Sequence, residues 1–223
     1  RKIFLSMLVL FCLLPLMSIS AQATPEYKSL TVYTALPESE LPTYFSQFEK
    51  DTGIKIQYVR LSAGELLARI RAEKNNPQAT VWFGGSYDNF VPAIDEGLLE
   101  AYQSPELANI PKVYWDAKGY ANPFYVGAIG FACNTDWFKK KGLAYPASWD
   151  DLLKPEFKGQ ISMAHPSTSG TSYTILATIV QMRGEEATWK YFTALNQNIR
   201  QYTKSGTTPP MDVGLGEAAI GIT

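Results

Sequence analysis

The feature that most constrains this chain is its alternation of short β-prone runs with longer amphipathic ones. Leu30-Thr31-Val32-Tyr33 reads as a strand, and residues 38–51 as a helix with Pro42 in its first turn and Gly53 closing it. Ile54-Lys55-Ile56-Gln57-Tyr58-Val59 is a second strand. Residues 65–74 put Leu66, Leu67 and Ile70 on one helical face and space Glu65 and Arg69 for an i,i+4 pair. Asn75-Asn76-Pro77 breaks that helix, residues 79–83 make a third strand, and Ser86 is placed to cap a helix that Gly97 ends. Crossovers of this length demand parallel pairing, so the chain is expected to be α/β.

A polar, Pro-containing stretch at 103–122 interrupts the alternation. The apolar run at 124–132 follows, with Gly127 and Gly130 inside it. It reads either as an extended strand crossing between two domains or as a central strand of one sheet. Short helices are then expected at 135–141 and 149–153, a strand at 160–164, and helices at 171–182 and 185–195. A strand at 199–202, a helix near Met211 and a strand at 218–223 complete the pattern.

Of the 223 residues 46% are hydrophobic and 18% charged, which places the chain among folded globular proteins of one or two domains. Lys plus Arg number 20 against 21 Asp plus Glu, so there is no basic excess to neutralise nucleic-acid phosphates. One histidine and two cysteines leave little for a metal cluster or a disulfide scaffold, and no metal or cofactor is expected.

The amino end carries its own signal. Arg1-Lys2 is followed by an apolar run at 3–19 and then Ala21-Gln22-Ala23, the pattern of a secretory signal peptide spanning 1–23 and cut before Thr24. A short membrane anchor is the rival reading. Bulky Phe11 before Cys12 argues against a lipid anchor there, and cleavage would leave Cys133 as the single cysteine.

Ligands of parallel sheets bind beyond the carboxyl ends of the strands, so those loops carry the functional reading. They are Thr34-Ala35, Ser62-Ala63-Gly64, Gly84-Gly85-Ser86, the stretch from His165 through Ser169, Gly170 and Thr171 to Ser172, and Lys204-Ser205-Gly206-Thr207-Thr208. Hydroxyl- and glycine-rich turns before helices present N–H and O–H donors at a positive helix end, which suits phosphate, phosphonate or carboxylate. Each loop taken singly reads first as a turn with an N-cap; five on one edge shift the reading toward a site. His165 suits either an anion donor or a satisfied strand-end residue. Tyr87 and Tyr173 sit close enough to line a pocket. No G-x-S-x-G elbow, S-x-x-K or Walker A loop occurs, so no catalytic residue is assigned.

Several of these segments resemble, in order, the extracellular solute-binding proteins of ABC importers. They are Leu30-Thr-Val-Tyr-Thr-Ala, Phe48-Glu-Lys-Asp-Thr-Gly-Ile-Lys-Ile, Arg60-Leu-Ser-Ala-Gly-Glu, Val81-Trp-Phe-Gly-Gly, Ser148-Trp-Asp-Asp-Leu-Leu-Lys-Pro-Glu-Phe-Lys-Gly and Gly216-Glu-Ala-Ala-Ile-Gly-Ile. The branch they resemble includes ferric-iron, hexose-phosphate and 2-aminoethylphosphonate receptors. The resemblance implies a type II periplasmic-binding fold of two α/β lobes, with lobe 1 at 24–123, a hinge or crossover strand at 124–132 and lobe 2 at 133–223. It also implies a longer chain whose return segment completes lobe 1.

By the same resemblance the protein is a periplasmic monomer that closes on a small anionic solute and delivers it to ABC permease membrane subunits. The ligand-binding residues it implies are Thr34, Ala35, Ser62, Gly64, Gly85 and Ser86 from one lobe. From the other they are His165, Ser169, Gly170, Thr171, Ser205, Gly206 and Thr207. Some ferric members place His after the first strand and Glu after the third, where this chain has Thr34-Ala35-Leu36-Pro37 and Gly84-Gly85-Ser86. A phosphate ester or phosphonate is therefore the expected ligand. Ferric iron is the alternative, and a secreted hydrolase is the alternative of another class.

Overall fold

The computed structural model describes residues 28–223; the signal-peptide reading of 1–23 lies outside the described residues. Two sheets organise the chain. In the first, β1 (Ser29–Thr34) is central, with β2 (Lys55–Arg60) on one side and β3 (Val81–Phe83) on the other, both parallel to it. The crossovers are α1 (Leu41–Thr52) and α2 (Ala63–Ala72), and α3 (Tyr87–Asp95) follows β3. Pro42 sits in the first turn of α1, where its missing N–H costs nothing. Gly53 ends that helix at φ 72° and donates its amide to the Glu49 carbonyl.

The second sheet has the order β4-β7-β5-β6, from β4 (Phe131–Cys133), β7 (Ile220–Ile222), β5 (Ile161–Ala164) and β6 (Ile199–Thr203). Around it pack α4 (Thr135–Lys141), α5 (Gly170–Arg183), α6 (Glu185–Leu195) and α7 (Thr208–Gly214). Both β5 and β7 are buried throughout, and their isoleucines meet Phe138, Leu152, Ile175, Ile179 and Leu195 in one core. Ser162 is the polar exception inside β5. Its hydroxyl donates to Asp212 Oδ2 at 2.6 Å, which also accepts from Gln201 Nε2 at 2.9 Å, so α7 is tied to the sheet through a satisfied polar group.

Two expectations need correction. The run at 124–132 is not one strand: Phe131 and Ala132 alone belong to β4. The apolar residues ahead of them cover the first sheet instead of joining the second. Phe124 stacks on Phe83 at 4.7 Å, and the Tyr125 hydroxyl accepts the Gly85 amide at 3.1 Å. Strand-like exchange starts only at Gly130, which trades backbone hydrogen bonds with Thr223. Pairing is also not parallel throughout. β4 runs antiparallel to β7, because it is reached directly from this connection and no helical crossover sets its direction.

The central strand β7 leaves no room at its middle residue. A Cβ on Gly221 would lie 2.5 Å from the Pro209 carbonyl oxygen and 2.7 Å from its carbon, which are backbone atoms of α7. Gly221→Ala is expected to lower stability by about 1–3 kcal/mol, the usual cost of overpacking. A melting-curve comparison with the parent checks this, and an unchanged midpoint would contradict it.

Candidate functional site

The carboxyl ends of β1, β2, β3, β5 and β6 open onto a cleft of about 590 Å³ between the two sheets. Its wall is built around three helix starts. Ser62, Ser86 and Ser169 stand immediately before α2, α3 and α5, and all three line the cleft. The first-turn amides of an α-helix have no partner within the helix, and the aligned peptide dipoles make that end positive. The Glu65 carboxylate answers the end of α2, and the ends of α3 and α5 make the cavity a place for negative charge.

The three serines are held differently. Ser169 Oγ accepts the Ser172 amide at 3.3 Å, and Ser86 Oγ accepts from Asn89 Nδ2 at 2.9 Å. Each keeps its hydroxyl hydrogen to donate elsewhere. Ser62 instead donates to Glu65 Oε2 at 2.5 Å, and its amide donates to the same oxygen at 3.2 Å. The Ser62 hydroxyl is the largest reason that the Glu65 carboxyl is held below the usual carboxylate range. This corrects the expected pairing of Glu65 with Arg69; Arg69 bonds Glu73 at 2.8 Å.

On the opposite wall Ser205 and Thr207 share a hydrogen bond of 3.0 Å, and Gly206 lies between them. A Cβ on Gly206 would come within 2.6 Å of Thr171 Cβ and 3.0 Å of Ser169 Oγ. Glycine there lets the loop after β6 lie directly on the start of α5. Gly170 does the same across the cleft. Its Cβ would meet Ser86 Oγ at 2.5 Å and Asn89 Nδ2 at 2.7 Å, so bare backbone brings the second half of the chain against α3.

Of the residues expected at the site, Ala35, Ser62, Gly85, Ser86, Ser169, Gly170, Thr171, Ser205, Gly206 and Thr207 line the cleft. Thr34, Gly64 and His165 lie outside its lining. Thr34 is fully buried, and its Oγ1 accepts the Leu36 amide at 3.2 Å, which shapes the turn after β1. Gly64 gives its amide to the Thr168 carbonyl at 2.9 Å, a contact between the two halves. His165 faces solvent; its Nδ1 accepts the Ser167 amide at 3.2 Å, and its ring lies edge-on to Tyr202.

The remaining wall is aromatic. Tyr87 lines it as the sequence suggested, whereas Tyr173 does not. The Tyr87 hydroxyl donates to Asp116 Oδ1 at 3.2 Å, and burial followed by that carboxylate raises the phenol above its ordinary value. Burial alone would raise Asp116, but the amides of Lys118, Tyr120 and Ala121 outweigh it and hold the carboxyl low. Glu40, Tyr44, Tyr114, Phe124 and Tyr125 also line the cleft, without a sequence signal that marks them for it. Tyr114 belongs to the irregular stretch with no periodicity to mark it, and Phe124 and Tyr125 fall in the apolar run that reads as a strand. Among the described residues no group of three or more His, Cys, Asp or Glu is placed to hold a metal ion.

Comparison with known proteins places this geometry in context. The family model described as bacterial extracellular solute-binding protein matches residues 86–223. The periplasmic binding protein AfuA from Actinobacillus pleuropneumoniae, solved with exogenous fructose-6-phosphate bound, superposes with a TM-score of 0.84 at 41% identity, over 87% of this chain and 63% of AfuA. An uncharacterized protein of Haemophilus influenzae is 38% identical over 86% of this chain and 57% of its own length. A Fe(3+)-binding periplasmic protein of Serratia marcescens is 25% identical over 93% of this chain and 60% of its own length. The chain thus spans about three fifths of the relatives it matches.

The contact at Gly170 yields a direct expectation. Gly170→Ala should push α5 away from Ser86 and Asn89 and open the cleft while leaving both cores intact. Small-angle scattering should report a larger radius of gyration with an unchanged far-ultraviolet spectrum. An unaltered radius would show that this approach does not set the separation of the two halves.

Proposed function

The chain belongs to the bacterial extracellular solute-binding proteins, and from that membership we propose that it is the periplasmic capture component of an ABC importer, taking up a small phosphate ester or phosphonate. The observation that carries this reading is the placement of Ser86 and Ser169, two helix starts from the two halves of the chain, around one cleft. Neutral donors at positive helix ends hold an anion strongly when water is excluded, and they need no counter-cation in contact with it. In this reading residues 24–123 form one lobe, 133–223 the other, and 124–132 the hinge between them, with 1–23 directing export.

Capture follows from the division of donors. Ser86 stands on one side and Ser169, Thr171, Ser205 and Thr207 on the other, so an anion in the cleft bonds both halves only when they are closed. Closure is then driven by contacts that neither half makes alone. The tyrosines and Phe124 form the surface on which the organic part of the solute rests. The protein holds its solute unchanged and releases it to the membrane subunits.

The test uses the full-length protein and its thermal stability with hexose phosphates, phosphonates, inorganic phosphate and ferric citrate. A ligand at one hundred times its dissociation constant adds about 2.7 kcal/mol, well within reach of a melting curve. An organophosphate is expected to raise the midpoint and to be recovered chemically intact. Thr171→Val removes a donor while keeping shape, and it should shrink that shift without touching the Ser169 cap. A shift with ferric citrate alone, together with colour, would contradict the reading; so would conversion of the phosphate ester to product.

A further inference from the structure

Arg60 ends β2 at the margin of the cleft without lining it. Its Nη2 donates to Ser205 Oγ at 2.8 Å and its Nε to the Leu36 carbonyl at 3.3 Å, and both of those residues do line the cleft. The guanidinium therefore sits one bond behind the wall and joins the first sheet to the loop after β6.

That bond also decides where the Ser205 proton can go. Ser205 Oγ receives N–H from Arg60 and, at 3.4 Å, from the Thr207 amide. With its lone pairs so engaged, its single hydrogen is left for Thr207 Oγ1 at 3.0 Å or for a group in the cleft. Either way one hydroxyl hydrogen of the pair remains to be offered onward. A hydroxyl whose oxygen is held by a cation is polarised into a better donor.

Charge points the same way. Lys204 Nζ and Glu65 Oε1 lie 4.0 Å apart beside this loop, and Arg60 also draws the Glu65 carboxyl down, so two cations flank one carboxylate. The Lys204 side chain is 84% exposed and is screened by salt, whereas Arg60 is half-buried and fixed by two bonds. The lasting positive charge behind the hydroxyl wall is that of Arg60.

We propose that Arg60 is a positioning and charge-selecting residue: it holds Ser205 as a donor into the cleft and makes the site prefer a doubly charged phosphate group over a singly charged anion of the same shape. This rests on the anion-binding reading of the cleft and adds to it a discrimination by charge.

The test is calorimetric titration of the full-length protein with glucose 6-phosphate and glucose 6-sulfate at pH 8, well above the second phosphate pKa of about 6. The parent is expected to bind the phosphate ester more tightly than the sulfate ester. Arg60→Met should cost about 10- to 100-fold in affinity for the phosphate, the range for a lost charged hydrogen bond, and much less for the sulfate, so that the preference collapses. Arg60→Lys should restore the preference in part. Because Arg60 acts through Ser205, Arg60→Met/Ser205→Ala should lose little more than Arg60→Met alone.

A folded Arg60→Met protein that keeps the preference, or losses that simply add in the double variant, would overturn the proposal. If Arg60→Met does not fold, Ser205→Ala decides: retention of the full preference overturns it. A parent that binds neither ester removes the anion reading and this inference together. A parent that binds the phosphate while Arg60→Met keeps the preference removes this inference alone.

Discussion

Everything at the cleft depends on one electrostatic arrangement, the meeting of the amino ends of α2, α3 and α5. Helix ends of one sign repel, and a protein gains nothing by collecting them unless something negative lies between or their amides meet acceptors. Part of the compensation is internal. Glu65 folds back onto the Ser62 amide, and the Gly64 amide meets the Thr168 carbonyl. The starts of α3 and α5 are left facing the cavity, with the Ser86 and Ser169 hydroxyls beside them.

Close approach of the halves is the second requirement, and glycine meets it. Gly64 and Gly170 are sites where a Cβ would strike the other half of the chain within 3.0 Å. Hydrogen bonds between the halves include Gly64 to Thr168, Arg60 to Ser205, and Thr174 Oγ1 to Asp88 Oδ2 at 2.5 Å. Each bond is worth about 0.5–1.5 kcal/mol net, and more where a charge takes part.

Much of this was legible in the sequence, for physical reasons. Strands and helices with strong periodicity, such as α4 and α6, appear where the pattern put them. The rule that parallel sheets bind beyond their carboxyl ends singles out loops that do line one cleft. What failed was context. The 124–132 run has the composition of a buried strand, yet Phe124 and Tyr125 spend that apolar surface on Phe83 and the cleft. Thr34 looks like a cleft donor in sequence, but it is fully buried outside the lining with its Oγ1 accepting the Leu36 amide. Arg60 gave no local signal, because its partner Ser205 is 145 residues away. The aromatic wall was hidden for the same reason, since Tyr114 comes from a stretch with no periodicity and is placed only by the tertiary fold.

The most direct measurement is a heteronuclear amide spectrum of the full-length protein as glucose 6-phosphate is added. The amides at the starts of α3 and α5, those of Tyr87, Gly170 and Thr171, are expected to shift downfield together and saturate at one equivalent, as N–H groups do when they take up a charged acceptor. Saturable binding that leaves these amides unmoved, with shifts confined to another face of the molecule, would contradict it.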